Sequence, residues 1–311
     1  MKKSILTLVL AVSTAIVIAQ PDMMTKRGES ILPETGDWAL GTDAWPFFQY
    51  AGNLFNNTSD NQGPWFSSPV WQEGIVIFGK YVKDPSTHYR AGVRIGFGSE
   101  KIELQTLIDP DDTIPSTPPQ MGTDEYKTSG NGITLIGGIE KRKGKGRVQG
   151  YYGGEVCIGF GSTKETFNYA NAITMTTQNP AISSDWGNFG TPSYPYNSYG
   201  RISEIKHGSN FMFGIDGFIG VEYFFMAHAS LGAEFHWGLM MRSMGARETT
   251  ASRWGDPSFG EADALITTTT ESPGKQSSFG IDTDVDGWDS NSKYGSVRLL
   301  FYFGGGGTTT R

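Results

Sequence analysis

Apolar and polar residues alternate with a period of two along eight segments: 36–44, 74–82, 88–98, 131–141, 148–160, 209–223, 227–241 and 294–303. Period two places successive side chains on opposite faces of a β-strand. In 227–241 the odd positions run Ala227, Ala229, Leu231, Ala233, Phe235, Trp237, Leu239 and Met241, while the even ones include His228, Ser230, Gly232, Glu234, His236 and Gly238. In 88–98 Tyr89, Ala91, Val93, Ile95 and Phe97 alternate with His88, Arg90, Gly92, Arg94 and Gly96. The last segment puts Val297, Leu299, Phe301 and Phe303 on one face and ends on an aromatic.

The joins between these segments fall into two classes that alternate. Lys83–Thr87, Arg142–Arg147 and Phe224–Met226 are tight turns, whereas 45–73, 99–130, 161–208 and 242–293 are long. An antiparallel barrel with its short turns at one end and its long loops at the other produces this order, and short periplasmic turns with longer extracellular loops are the outer-membrane arrangement. A soluble sandwich has no reason to sort its joins by length.

Alternation alone does not say which face points inward. Composition does: 42 glycines, 13% aromatic and 18% charged residues, against about 7% Gly and 25% charged in soluble domains. A face of glycine with scattered ions is a poor solvent surface but suits a narrow lumen, with the apolar face toward lipid. Residues 1–19 read as a secretory signal peptide: Lys2 and Lys3, an apolar stretch from Ile5 to Ile18, and a small residue, Ala19, at the cleavage position. No later run of about 18 apolar residues exists for a spanning helix. The expected organisation is signal peptide 1–19, flexible leader 20–35, barrel 36–303 and tail 304–311.

The even strand count, small size and layout resemble the small eight-stranded outer-membrane barrels of the OmpA/OmpX/OmpW type, over 36–303. The resemblance implies an all-β, transmembrane, antiparallel up-and-down barrel in a Gram-negative outer membrane, with lipid as surroundings. A ten-stranded barrel is the alternative, with 262–270 and 278–285 as a further hairpin; that hairpin is more naturally an extension above the membrane.

In this register the inward ionisable residues are Lys80, Arg90, Arg94 and Arg298 with Glu140, Glu155, Asp216, Glu222 and Glu234, and with His228 and His236 nearby. Arg94, Arg298, Glu155, Asp216 and Glu234 fall near mid-height; Lys80, Arg90, Glu140 and Glu222 fall nearer the periplasmic end. Confined charges must pair, and eight strands leave an interior only just filled by side chains. The expectation is a charge-paired plug; the alternatives are a polar conduit for a modest solute, or a hydrolase using such groups at the outer rim. No serine elbow, HExxH or phosphate loop appears, so the chain reads as non-enzymatic.

Two features belong to the long joins. Asp282, Asp284 and Asp286 precede Gly287, with Asp289 two residues on. This spacing matches the start of a Ca²⁺ loop, but Lys293 stands where the bidentate Glu belongs. The segment is either a solvated acidic turn or a Ca²⁺ site. Aromatics crowd 186–199 and the first join (Trp45, Phe47, Phe48, Tyr50, Phe55, Trp65, Trp71), where they either pack the loops together or form a contact surface for a protein or glycan. Residues 46–55 read as a short amphipathic helix at the rim. The lone Cys157 reads as a small buried side chain rather than a reactive thiol. A net charge of −7 argues against a nucleic-acid partner. The leading expectation is a plugged barrel whose loops engage an envelope protein, as an accessory subunit.

Overall fold

The computed structural model describes residues 24–25, 30–55, 77–108, 119–144, 146–187, 195–258, 261–272, 274–282 and 296–304. Residues 1–19, expected as a signal peptide, residues 305–311 of the expected tail 304–311, Trp65, Trp71, 188–194, Asp284, Asp286, Asp289 and the side chain of Asp282 lie outside the described residues. The strands are β1 (Trp38–Asp43), β2 (Ile77–Asp84), β3 (Thr87–Leu107), β4 (Met121–Lys143), β5 (Val148–Asn168), β6 (Tyr196–Asn197), β7 (Gly200–Met226), β8 (Ala229–Met244), β9 (Glu248–Gly255), β10 (Ala264–Glu271), β11 (Gln276–Asp282) and β12 (Ser296–Phe303). One helix, α1 (Trp45–Phe55), follows β1 where the rim helix was expected.

All twelve strands form one antiparallel sheet that is partly ring-like. Pairings run from β1 through β2, β3, β4, β5, β7, β8 and β12 and return to β1. These eight strands are the eight segments of alternating pattern. β6 and β9 attach to β7, β10 to β9, and β11 to β8. A row of paired positions climbs around the circuit. From Leu299 it passes Thr42, Ile77, Val93, Leu135, Ile158 and Phe213 to Met241, ten residues along β8 from Leu231, where Leu299 pairs directly. A stagger of this size goes with strongly tilted strands.

Three sequence expectations are corrected. The hairpin of 262–270 with 278–285 does not form. β8 outruns β12, which covers only Ala229–Glu234, and β11 completes the edge left at Gly238–Met244. β10 instead pairs with β9, where hydroxyls meet across the strands at 3.0 Å in Thr250–Thr269 and Ser252–Thr267. His228 is not among the interior charges: it sits exposed in the turn before β8 with φ 68°. The segment expected as a flexible leader is packed from residue 30 onward, with Ile31 only 2% exposed.

The join expected at 99–130 is largely strand, and that at 161–208 is strand at both ends. β3, β4, β5 and β7 run well past the circuit, and the polarity of their faces reverses on the way. On β3 the outward positions are Tyr89, Ile95 and Phe97, then Ser99, Lys101 and Glu103, while the inner positions Ile102 and Leu104 become the apolar ones. The reversal falls at one level on three strands, since Phe97 pairs with Asn131 and Asn131 with Ser162. Beyond it, Tyr126, Phe167, Ile202, Ile205 and Ala251 form an inward core, onto which Trp186 stacks beside Tyr169. Buried Asp124 pins the covering segment by accepting from the amides of Ala170 and Ser183. A second apolar cluster closes the short-turn end: Ile31, Ala39, Val82, Phe224, Leu300 and Tyr302.

Gly208 makes the corner where β7 changes partner from β8 to β9. A Cβ there would run into the Gly245 carbonyl. Gly208→Val should therefore detach β9 and β10, costing about 1–3 kcal/mol, read as faster amide exchange in 248–271 with 88–98 unchanged. At the same level, Glu165 accepts from Tyr126 at 3.1 Å and lies 2.5 Å from His207 Nε2. Burial raises its carboxyl, but these two bonds outweigh it and hold the pKa below the ordinary value. The stabilisation is present above that value and lost as pH falls through the lowered one, so below about pH 4 the outer core should open first. Exchange at 126 and 167 should rise on acidification in the wild type, and much less steeply in Glu165→Gln.

Candidate functional site

The inner face of the circuit gathers the charges that the alternation pointed inward, His228 excepted. Lys80, Arg90, Arg94, Glu140, Glu155, Asp216, Glu222, Glu234, His236 and Arg298 are each 7% exposed or less. Strand parity places them: Lys80 on β2, Arg90 and Arg94 on β3, Glu140 on β4, Glu155 on β5, Asp216 and Glu222 on β7, Glu234 and His236 on β8, Arg298 on β12. Glycines on the same face make the room. A Cβ on Gly138 would lie 2.6 Å from Glu155, on Gly153 2.6 Å from the Phe218 ring, and on Gly238 2.5 Å from Asp216.

The charges sort into two tiers. Toward the short-turn end, Lys80 Nζ lies 3.0 Å from Glu140 and 3.1 Å from Glu222. Arg142 donates to both carboxylates and to Gln149. Glu222 also accepts from Ser230 at 2.5 Å and from Tyr302 at 2.7 Å. His88 stands 3.8 Å from Glu140.

Toward the middle of the circuit, the Arg90 fork grips Glu234 with two 3.0 Å bonds, and Arg298, Tyr151 and Ser296 converge on the same carboxylate. Arg90 also reaches Glu155 at 3.4 Å and Glu140 at 3.7 Å. It therefore links the tiers rather than belonging to the lower one, as its position in sequence suggested. His236 completes the upper tier with Nδ1 2.7 Å from Asp216 and 3.7 Å from Glu155. Aromatic faces carry the cations sideways: Arg90 lies over Phe218 at 3.9 Å and Arg298 over Phe78 at 3.6 Å.

Among the described residues, five buried basic side chains of the circuit (Lys80, Arg90, Arg94, Arg142, Arg298) match five buried carboxylates in number. Arg142 escaped the sequence reading because Arg142–Arg147 looks like a basic turn. Its signal was parity with Glu140, since β4 runs on to Lys143. Tyr151 and Tyr302 were missed because an aromatic on an alternating strand reads as lipid-facing. Cys157 is buried, as expected. Trp186, from the aromatic-rich stretch, packs on Phe167 and Tyr169 instead of standing out as a contact residue.

No family model, no curated protein and no solved structure matches the chain.

Removing one member of a buried bidentate pair strands the other. Arg90→Gln and Glu234→Gln should each cost about 3–5 kcal/mol. The double variant should lose far less than the sum, read as urea midpoints in a double-mutant cycle. Additive losses would mean that the two groups do not act as a unit.

Proposed function

We propose that the chain is a non-enzymatic β-barrel of a Gram-negative outer membrane, exported by a cleaved signal peptide. Eight strands close it, ion pairs plug its interior, and its long-loop end meets an envelope protein partner. One observation carries the reading: along unbroken strands the exposed face is apolar on one side of a fixed level and charged on the other. From the level of Phe97, Asn131 and Ser162 down to that of Tyr89 and Ile139, the large outward side chains are apolar and the charges are buried behind them. In water this distribution is inverted and costly; in a bilayer it is the favourable one.

Dimensions agree. Exposed apolar positions span nine residues on β3 (Tyr89 to Phe97), on β5 (Tyr152 to Phe160) and on β7 (Ile215 to Tyr223), and a tilted strand needs about 9–11 to cross. Aromatics ring both edges of this band, as at a lipid–water interface. Trp38, Tyr81 and Tyr89 touch in sequence at the short-turn edge, with centroids at 4.8 and 6.4 Å. Phe160 and Phe211 meet at 5.3 Å at the other edge. The paired interior and the apolar cluster at the short-turn end favour a closed barrel over a solute conduit. The sheet beyond the band, with exposed Lys101, Glu103, Lys206 and Glu248, supplies the surface for a partner.

The protein should sediment with outer membranes and migrate faster on gels unheated than boiled. Recovery in the soluble fraction with heat-independent migration overturns the barrel. In planar bilayers it should give no steady conductance. A steady current abolished by Arg94→Gln or Glu155→Gln would replace the plug with a conduit. Purification in mild detergent should bring down a stoichiometric partner, and recovery of the lone chain overturns that part of the reading.

A further inference from the structure

We propose that Glu155, Asp216 and His236 form a binding site for one divalent transition ion of the Zn²⁺ type, set in the interior wall. Among the described residues this is a group whose donor atoms, one from each side chain, all lie within 4.8 Å of one another, and all three residues are buried. The site stands on the interior geometry and does not require the membrane reading.

The sequence register creates the problem that such an ion solves. Glu155 and Asp216 are direct cross-strand partners on β5 and β7, and like charges opposite one another are destabilising. Among the described residues the side chain at ion-pair distance from Asp216 is His236, whose Nδ1 shares a 2.7 Å hydrogen bond with the carboxylate and which is charged only when protonated. Glu155 has Arg90 at 3.4 Å, but that guanidinium is already bidentate on Glu234, and Glu155 Oε2 accepts no hydrogen bond although it is fully buried. Within ion-pair distance the two carboxylates share one imidazole and one guanidinium that is already bidentate on Glu234.

The imidazole identifies the kind of cation. Its Nδ1 faces both carboxylates, while its Nε2 lies 3.4 Å from Glu234 Oε1. A neutral imidazole carries a proton on one nitrogen only. Without an ion, the 2.7 Å contact to Asp216 needs a proton on Nδ1; an ion that displaces that proton takes the Nδ1 lone pair together with the two carboxylates and leaves the proton on Nε2, 3.4 Å from Glu234 Oε1. That is the outer-shell pattern in which a carboxylate orients a metal-bound histidine. One nitrogen with two carboxylate oxygens suits Zn²⁺ and its first-row neighbours rather than Ca²⁺, which takes oxygen ligands alone. The competing occupant is a second proton, giving an imidazolium held between carboxylates.

Full-length protein folded in detergent with Co²⁺, then desalted, should retain one Co²⁺ per chain with visible d–d absorption. His236→Gln and Asp216→Asn should each lose that ion while keeping the far-ultraviolet circular dichroism of the wild type, which reads folding independently of the ion and of the membrane reading. Folded wild type without Co²⁺ overturns the site. So does equal retention in both variants, which places the ion elsewhere, such as the acidic segment from Asp282 to Asp289. Should a variant fail to fold, the His236 imidazole ¹⁵N resonances of the wild type decide. A Zn²⁺-dependent shift of Nδ1 supports the site, and an imidazolium unchanged by Zn²⁺ overturns it.

Discussion

Charges on the inner face of a narrow ring cannot be solvated by bulk water, and this constraint organises the molecule. An unpaired buried ion costs several kcal/mol, so the inward charges must find opposites, and the pairs that matter most for the circuit lie across the interior rather than along one strand. Lys80 on β2 meets Glu222 on β7, and Arg90 on β3 meets Glu234 on β8. These contacts tie strands that share no hydrogen bonds, so the interior fixes the circuit as firmly as the ladder does. The space for such long side chains comes from glycine opposite them. Without Gly138 and Gly238, Glu155 and Asp216 would have no volume to enter.

The same sheet carries two opposite polarities. Strand parity never breaks along β4, yet the outward set runs from Ile139, Leu135 and Ile133 to Asn131, Lys127 and Glu125. The proposed membrane setting accounts for this reversal, because there the side that must be apolar swaps from outside to inside. The outer core around Tyr126 and Phe167 follows from it: once the outward face is polar, the inner face needs apolar cover, which the segment carrying Tyr169 and Trp186 provides.

That reversal also explains what was legible in the sequence. The circuit strands and their inward charges were readable because period two survives in each of them, and parity alone put Arg298 and Glu234 on one face. The extensions were not. A strand whose apolar phase shifts by one, as from Phe97 to Ile102 and Leu104, loses its alternation against a fixed template and looks like a loop. Ile31 was unreadable for a different reason: the adjacent pair Ile31–Leu32 in a polar leader carries no period, and only the tertiary gap beside Val82 and Phe224 gives Ile31 a place. Arg142 was hidden by its neighbours, since a basic, glycine-rich run signals a turn whichever of its residues still belongs to the strand.

The two tiers differ in saturation, and this separates structural charge from charge available for chemistry. Glu222 accepts from Lys80, Arg142, Ser230 and Tyr302 and has no remaining capacity. Its tier sits directly on the apolar cluster at the short-turn end, where any hydration would cost burial as well as bonds. Glu155 and Asp216 are the reverse case: directly opposed, with one shared imidazole and one guanidinium already committed elsewhere. A carboxylate with every lone pair met can only hold the fold together. A carboxylate pair with unmet capacity, at the same depth and in the same low-dielectric space, is where a proton or a cation must enter for the arrangement to be stable.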